Sequence, residues 1–192
     1  MVKIRQKRNI LIFGKSKTGF TLIEIMVVIL LLGIATTIII PNLQQRLPGY
    51  QRKAFVTELN TLLALAWQNA LSTQKVHRIF FDLNKRLIKA EVEEAGAVPN
   101  TMIYKPINQA YRKTSYEWPE NIEIKNFFID GSDEMSKHEK AETIWFYIVP
   151  EGLAQEVIIN VVDTSQSVPI SLGLVLNPFT AQLKEYDTFQ KP

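Results

Sequence analysis

Apolar residues run almost without interruption from Phe20 to Ile40, and Glu24 is the one charge within those positions. Read as a helix, the run is roughly 32 Å long at 1.5 Å per residue, enough to cross a hydrocarbon core of about 30 Å. Pro41 stands where this helix should kink. Leu47-Pro48-Gly49-Tyr50 is a stronger break, read as a helix interruption or hinge between a stalk and a globular domain. From Gln51 to about Thr73 the pattern becomes amphipathic. Phe55, Leu59, Leu62, Leu63, Ala66 and Ala70 recur at helical spacing, which predicts an apolar stripe packed on a sheet. Thr57, Glu58, Asn60, Gln68 and Asn69 fall on the solvated side.

Beyond Gln74 the pattern turns strand-like. Val76–Leu83 and Arg86–Glu93 flank Asn84-Lys85, a hairpin signal. Further strands are predicted over Ile122–Ile129, Thr143–Val149, Glu156–Val162, Ile170–Leu176 and Gln182–Tyr186. Asp130-Gly131-Ser132, Pro150-Glu151-Gly152 and Asn177-Pro178 supply the turns. Residues 95–120, interrupted by Pro99, Pro106 and Pro119, read as irregular. The expected class is α+β: a long N-terminal hydrophobic helix, kinked or interrupted, then a helix packed on an antiparallel β-rich domain.

Charge sharpens this picture. Residues 1–19 hold Lys3, Arg5, Lys7, Arg8, Lys15 and Lys17 and no acid, while the whole chain has 22 Lys and Arg against 19 Asp and Glu. The basic balance therefore belongs to the leader, the rest is slightly acidic, and no nucleic-acid partner is expected. Positive charge before the apolar run places the leader in the cytoplasm and the domain across the membrane. A cleaved secretory signal would have a shorter core and a small-x-small site after it, whereas this core ends in Pro41-Asn42-Leu43-Gln44-Gln45. An uncleaved anchor explains the charges and the apolar run. It explains neither Gly19 abutting the core nor Glu24 inside it, since a carboxylate in an apolar phase is unfavourable unless paired.

Other chemistry is sparse. The chain has no cysteine, which excludes disulfides and thiolate chemistry. "FGKSKTG" lacks the first glycine of a phosphate loop, that position being Asn9. His77 and His138 are far apart, without metal-ligand spacing. Asp130, Asp133 and Glu134 read as a solvated acidic loop without the EF-hand pattern. No catalytic constellation stands out, so no enzyme activity, metal or cofactor is expected.

Gly19-Phe20-Thr21-Leu22-Ile23-Glu24, followed by the apolar run to Pro41, resembles the N-terminal signature of type IV prepilins and type II secretion pseudopilins. The resemblance implies that a prepilin peptidase cuts between Gly19 and Phe20 and methylates the new Phe20 amine. It also implies that Glu24 pairs with the amino terminus of a neighbouring subunit during assembly. The stretch "FVTELNTLLALAWQNALSTQKVHRIFFD" is similar to the GspH/FimT group, and the resemblance covers residues 19–83. It is looser for "FYIVPEGLAQEVIINV" and "LGLVLNPFTAQLKEY", and residues 95–140 lie outside it. The resemblance implies a pilin-like fold with a cleaved leader at 1–19, a transmembrane and assembly helix at 20–47, and a periplasmic domain at 48–192.

The function so implied is that of a minor pseudopilin of a type II secretion system, anchored by a single pass in the inner membrane and then assembled into a periplasmic pseudopilus. Its partners would be the prepilin peptidase, other major and minor pseudopilins, the inner-membrane assembly platform and, before assembly, membrane lipid. The alternative is a minor type IV pilin, FimT/FimU-like, for pilus priming, adhesion or DNA uptake. The absence of cysteine, and a C-terminus in which Lys184 and Lys191 stand against Glu185 and Asp187, lean towards secretion. A third reading, an anchored domain that never assembles, leaves Glu24 without a role.

Overall fold

The structure, a computed structural model, describes residues 19–44, 49–98, 101–137 and 141–192, with side chains of the first helix described as far as Thr36. The chain divides into two units, Met1–Gln44 and Gln45–Pro192. In the first, α1 spans Leu22–Gln44 and runs through Pro41. The Thr36 hydroxyl donates to the Gly33 carbonyl at 2.8 Å, so this threonine satisfies itself within its own helix. Pro48 lies outside the described residues, as does His138.

The described part of the second unit opens at Gly49, whose φ of 77° is left-handed backbone that a glycine adopts without strain. Helix α2 spans Tyr50–Thr73 and ends where Gln74, also left-handed, donates its N–H to the Ala70 carbonyl at 3.0 Å. All six stripe residues expected from the periodicity are buried, and Val56 and Leu65 join them. The strands, in chain order, are β1 (His77–Asp82), β2 (Leu87–Ala95), β3 (Met102–Pro106), β4 (Ser115–Glu117), β5 (Ile122–Ile129), β6 (Ser132–Asp133), β7 (Thr143–Ile148), β8 (Val157–Asp163), β9 (Ile170–Asn177) and β10 (Gln182–Tyr186). A short helix, α3 (Glu134–Lys137), separates β6 from β7.

Two antiparallel sheets result. One has the order β3-β2-β1-β7, with β4 also paired to β2; the other has the order β10-β9-β8-β5-β6. Alternation along β1 buries His77, Ile79 and Phe81 and turns Arg78 and Phe80 to the other face. Phe81 sits opposite Ile88 of β2 and Ile144 of β7, and its ring meets Phe127 of β5 edge-on at 5.0 Å. The core lies where these inner faces meet the apolar stripe of α2. Its far side is closed by β10, whose Leu183 N–H donates to the Asn60 side chain of α2 at 2.8 Å. The C-terminal tail crosses so close to β9 that a Cβ at Gly173 would stand 2.5 Å from the Thr188 carbonyl. Beyond that crossing Gln190 exchanges two hydrogen bonds with the buried side chain of Asn160.

Residues 95–120 are not irregular. They contain β3 and β4, both paired to β2, and Ile107 and Trp118 lie buried at the ends of these strands. Pro106 closes β3, where a missing N–H is tolerated, and neither strand buries a residue, so neither shows the alternation of a half-buried strand. Strand β6 and helix α3 also go beyond the expected elements, being too short to carry a period.

His77 introduces a pH dependence. Burial pushes its imidazole below the ordinary value of 6.5, against the opposing hydrogen bond from Nδ1 to the Lys75 carbonyl at 2.9 Å. With the folded value depressed, the unfolded chain binds the proton more readily. The stability is then full above about pH 6.5 and is lost as pH falls through the folded value. The thermal midpoint is expected to drop between pH 7 and 5, and His77→Gln should flatten that drop in a pH series of melts.

Candidate processing and assembly segment

Gly19, Phe20 and Thr21 lie outside the helix, and α1 begins immediately after them. Thr21 sets that boundary. Its carbonyl accepts from the N–H groups of Glu24 and Ile25 at 3.2 and 3.3 Å, and its hydroxyl accepts from the Glu24 N–H at 3.3 Å. This is an N-cap, which satisfies donors that a helix start otherwise leaves unpaired. Gly19–Phe20 is consequently an exposed, non-helical peptide bond, the form a protease can take into its cleft. Phe20 is 79% exposed. Neither the apolar run nor the family signature assigns this capping role to Thr21. The signal that could have found it is the Thr-x-x-Glu spacing ahead of an apolar run.

Glu24 occupies the first turn of α1, where a negative charge complements the positive end of the helix dipole. Its neighbours Leu22, Ile23, Ile25 and Met26 are all exposed, as are Val27 to Leu32 and Ile34. A helix apolar on every side belongs in a packed core or in lipid rather than in water. Among the described residues no helix is long and apolar enough to cross a membrane. The described side chains of α1 cover roughly 15 residues, about 22 Å of helix. Gly49 is the N-cap residue that precedes α2. A Cβ added at Gly33 would meet nothing within 4 Å, so its small size is not demanded by its own unit.

In the second unit, no group of three His, Cys, Asp or Glu among the described residues could hold a metal ion. The acidic loop is tied up internally. Asp133 accepts from Asn126, from the Phe127 N–H and from the Met135 N–H, and Asp130 accepts from Gln155 at 2.6 Å. His77 is a core strand residue rather than a ligand. On the outer face of the first sheet, Arg78 pairs with Glu91 at 2.7 Å while its guanidinium lies 4.1 Å from the centre of the Tyr104 ring. Beside it Phe80 stacks on Trp145.

Comparison with known proteins bears on both units. The family described as "Prokaryotic N-terminal methylation motif" matches residues 14–40. Type II secretion system core protein G of Aeromonas hydrophila is 29% identical over 91 residues, which is 47% of this chain and 60% of that protein. Its namesake from Klebsiella pneumoniae is 31% identical over 86 residues, 45% of this chain and 58% of that one. The chain thus spans about three-fifths of the length of these relatives. In three dimensions it is similar to the minor pseudopilin EpsH from the type 2 secretion system of Vibrio cholerae. That match has a TM-score of 0.53 and 10% identity, covering 74% of this chain and 99% of the other. A second EpsH crystal structure gives 0.51. The shared fold is α+β, with a helix packed on antiparallel sheets.

Proposed function

We propose that this chain, which carries the prepilin methylation motif and has the fold of a minor pseudopilin, is a GspH-like subunit of the periplasmic pseudopilus of a type II secretion system. The observation that carries the reading is a coincidence: the motif's glycine and first mature residue lie on an exposed non-helical segment, and an apolar helix starts just after them. Gly19 lacks a Cβ, so a peptidase can approach the backbone closely there. Cleavage before Phe20 leaves α1 whole and creates a positive amine one turn from Glu24. Methylation of that amine keeps its charge. In this reading α1 is first a single-pass inner-membrane anchor and then the packed centre of the filament, the leader stays cytoplasmic, and the domain from residue 48 lies in the periplasm. Pro41, Pro48 and Gly49 are the proposed kink or hinge positions along this stretch of the chain.

The partners are then a prepilin peptidase, other pseudopilins and an inner-membrane assembly platform. Glu24 acts as a register device: left alone in an apolar phase its carboxylate is unfavourable, and a neighbour's Phe20 amine at the matching height offsets this. The chain performs no catalysis of its own and works as a structural subunit.

Mass spectrometry of the N-terminal peptide, from membranes with and without the peptidase, tests this. The expected result is a peptide beginning at methylated Phe20 only when the peptidase is present. An intact Met1 leader under both conditions, or a cut after Ile40, would overturn it.

A further inference from the structure

Sheet edges offer unpaired main-chain groups, and folded proteins guard them with lysine, proline, brevity or a covering element. Among the described residues, four of the five outermost strands are guarded in these ways. Strand β3 carries Lys105 and Pro106. On β10, the Leu183 N–H is taken by Asn60 of α2. Strands β6 and β4 are only two and three residues long. The fifth, β7, reads Thr-Ile-Trp-Phe-Tyr-Ile, with neither a charge nor a proline.

The phase of β7 is fixed by its hydrogen bonds. Just ahead of the strand, the Glu142 carbonyl accepts from the Leu83 N–H, so the even-numbered residues face β1. Tyr147 faces the other way, donating its N–H to the Gln155 side chain at 2.9 Å and accepting from the Gln155 N–H at 3.1 Å. Thr143 and Trp145 share that outward phase, and their main-chain groups have no partner among the described residues. The chain itself begins to fill this edge. Leu153 accepts from the Val149 N–H, Ala154 bridges Ile148 and Gln155 clamps Tyr147, after which the chain leaves for β8. A groove lined by Ile129, Glu134, Thr143, Trp145, Tyr147 and Gln155 continues along the unfilled part.

We propose that the open edge of β7 at Thr143–Trp145 is a strand-addition site for an extended segment of a neighbouring polypeptide in the assembled filament, a proposal that rests on the filament-subunit function proposed for the chain. Such a segment continues the pairing that residues 153–155 begin and takes the two donors and two acceptors that Thr143 and Trp145 present. The strand is uncharged, Glu134 in the groove is paired with Lys137 at 2.6 Å, and Asp130, which holds the Gln155 clamp, has no cation partner among the described residues. The complementary segment is therefore neutral or basic rather than acidic. Trp145, 40% exposed, supplies an aromatic anchor on the adjoining face.

The test is hydrogen exchange on the full chain in detergent, alone and assembled with the other pseudopilins of its secretion system. The Thr143 and Trp145 amides should exchange at least about tenfold more slowly in the assembly. Thr143→Pro removes an outward N–H without taking a bond from the β1 ladder, so it should keep the fold and lose both the Trp145 protection and co-purification of the neighbour. An assembly in which these amides exchange at the free-chain rate would overturn the strand-addition site and leave the subunit function intact. So would a folded Thr143→Pro chain that retains the Trp145 protection. Failure to assemble at all would overturn both. Should Thr143→Pro fail to fold, the wild-type comparison decides alone.

Discussion

Truncating Phe81 to alanine is expected to lower the unfolding free energy by about 3–5 kcal/mol, a large part of the roughly 5–15 kcal/mol that holds a domain together. Phe81 is fully buried, and its ring touches elements from both sheets: Phe127 at 5.0 Å, Trp118 and Phe146 each at 6.3 Å. Removing it leaves a void between layers that α2 cannot collapse into, because the α2 stripe is already packed against β1 and β2. Phe80 is the control, one residue along and half-buried on the opposite face, where it stacks on Trp145. Its loss should remove about 0.5–1.5 kcal/mol of ring pairing and little core volume. Chemical denaturation of the two variants, followed by aromatic circular dichroism, gives the comparison. Equal losses would mean that the layers do not meet at Phe81.

The second large effect is functional. Glu24→Leu is expected to reduce secretion by more than tenfold while leaving leader cleavage intact, because Gly19 and Phe20 remain outside the helix. The two consequences for the membrane have opposite signs. A lone carboxylate in the apolar phase disfavours insertion by up to about 3 kcal/mol, so the leucine chain should be the better anchored monomer. On the proposed register role it lacks the charge that would select a neighbour's amine, so it should accumulate in the membrane rather than in the filament. Glu24→Asp keeps the charge with a shorter reach and should recover part of the activity. Secretion of a folded substrate, measured with fractionation of the subunit, reads both outcomes. Wild-type export by the leucine variant would sink the register role and favour an anchored domain that never assembles.

How much of the fold is legible in the residues depends on how strongly each segment patterns its burial. Helix α2 starts one residue before the periodicity places it, because its stripe is continuous and Gly49 marks the start. The seven expected strands form within a residue or two of their predicted ends, and all of them except β10 bury residues in the core. Strands β3 and β4 are illegible because Met102–Pro106 buries almost nothing and Ser115–Glu117 is too short for a period. Two anchors, Ile107 and Trp118, hold that region, and single buried residues make no pattern. At the N-terminus the glycine and the acid are read directly from the sequence, whereas the Thr21 cap is not, although the Thr-x-x-Glu spacing carries it. The open edge of β7 cannot be seen in advance, because it depends on the strand order, and nothing near Thr143 states that β1 will lie on one side and, among the described residues, no strand on the other.

The Asn60–Leu183 hydrogen bond ties together residues 123 positions apart. In kinetic terms this makes the domain a late folder. Closing so long a loop must precede the reward of closing it, and domains dominated by such contacts fold in milliseconds to seconds rather than microseconds. A chain delivered N-terminus first presents α2 long before the strand that covers its far side. Until β10 arrives, Asn60 bonds water and the apolar stripe is only partly covered. The interval between delivery and closure is when the chain is most vulnerable to proteases and to premature association, and chaperones that shield an amphipathic helix would act in that window.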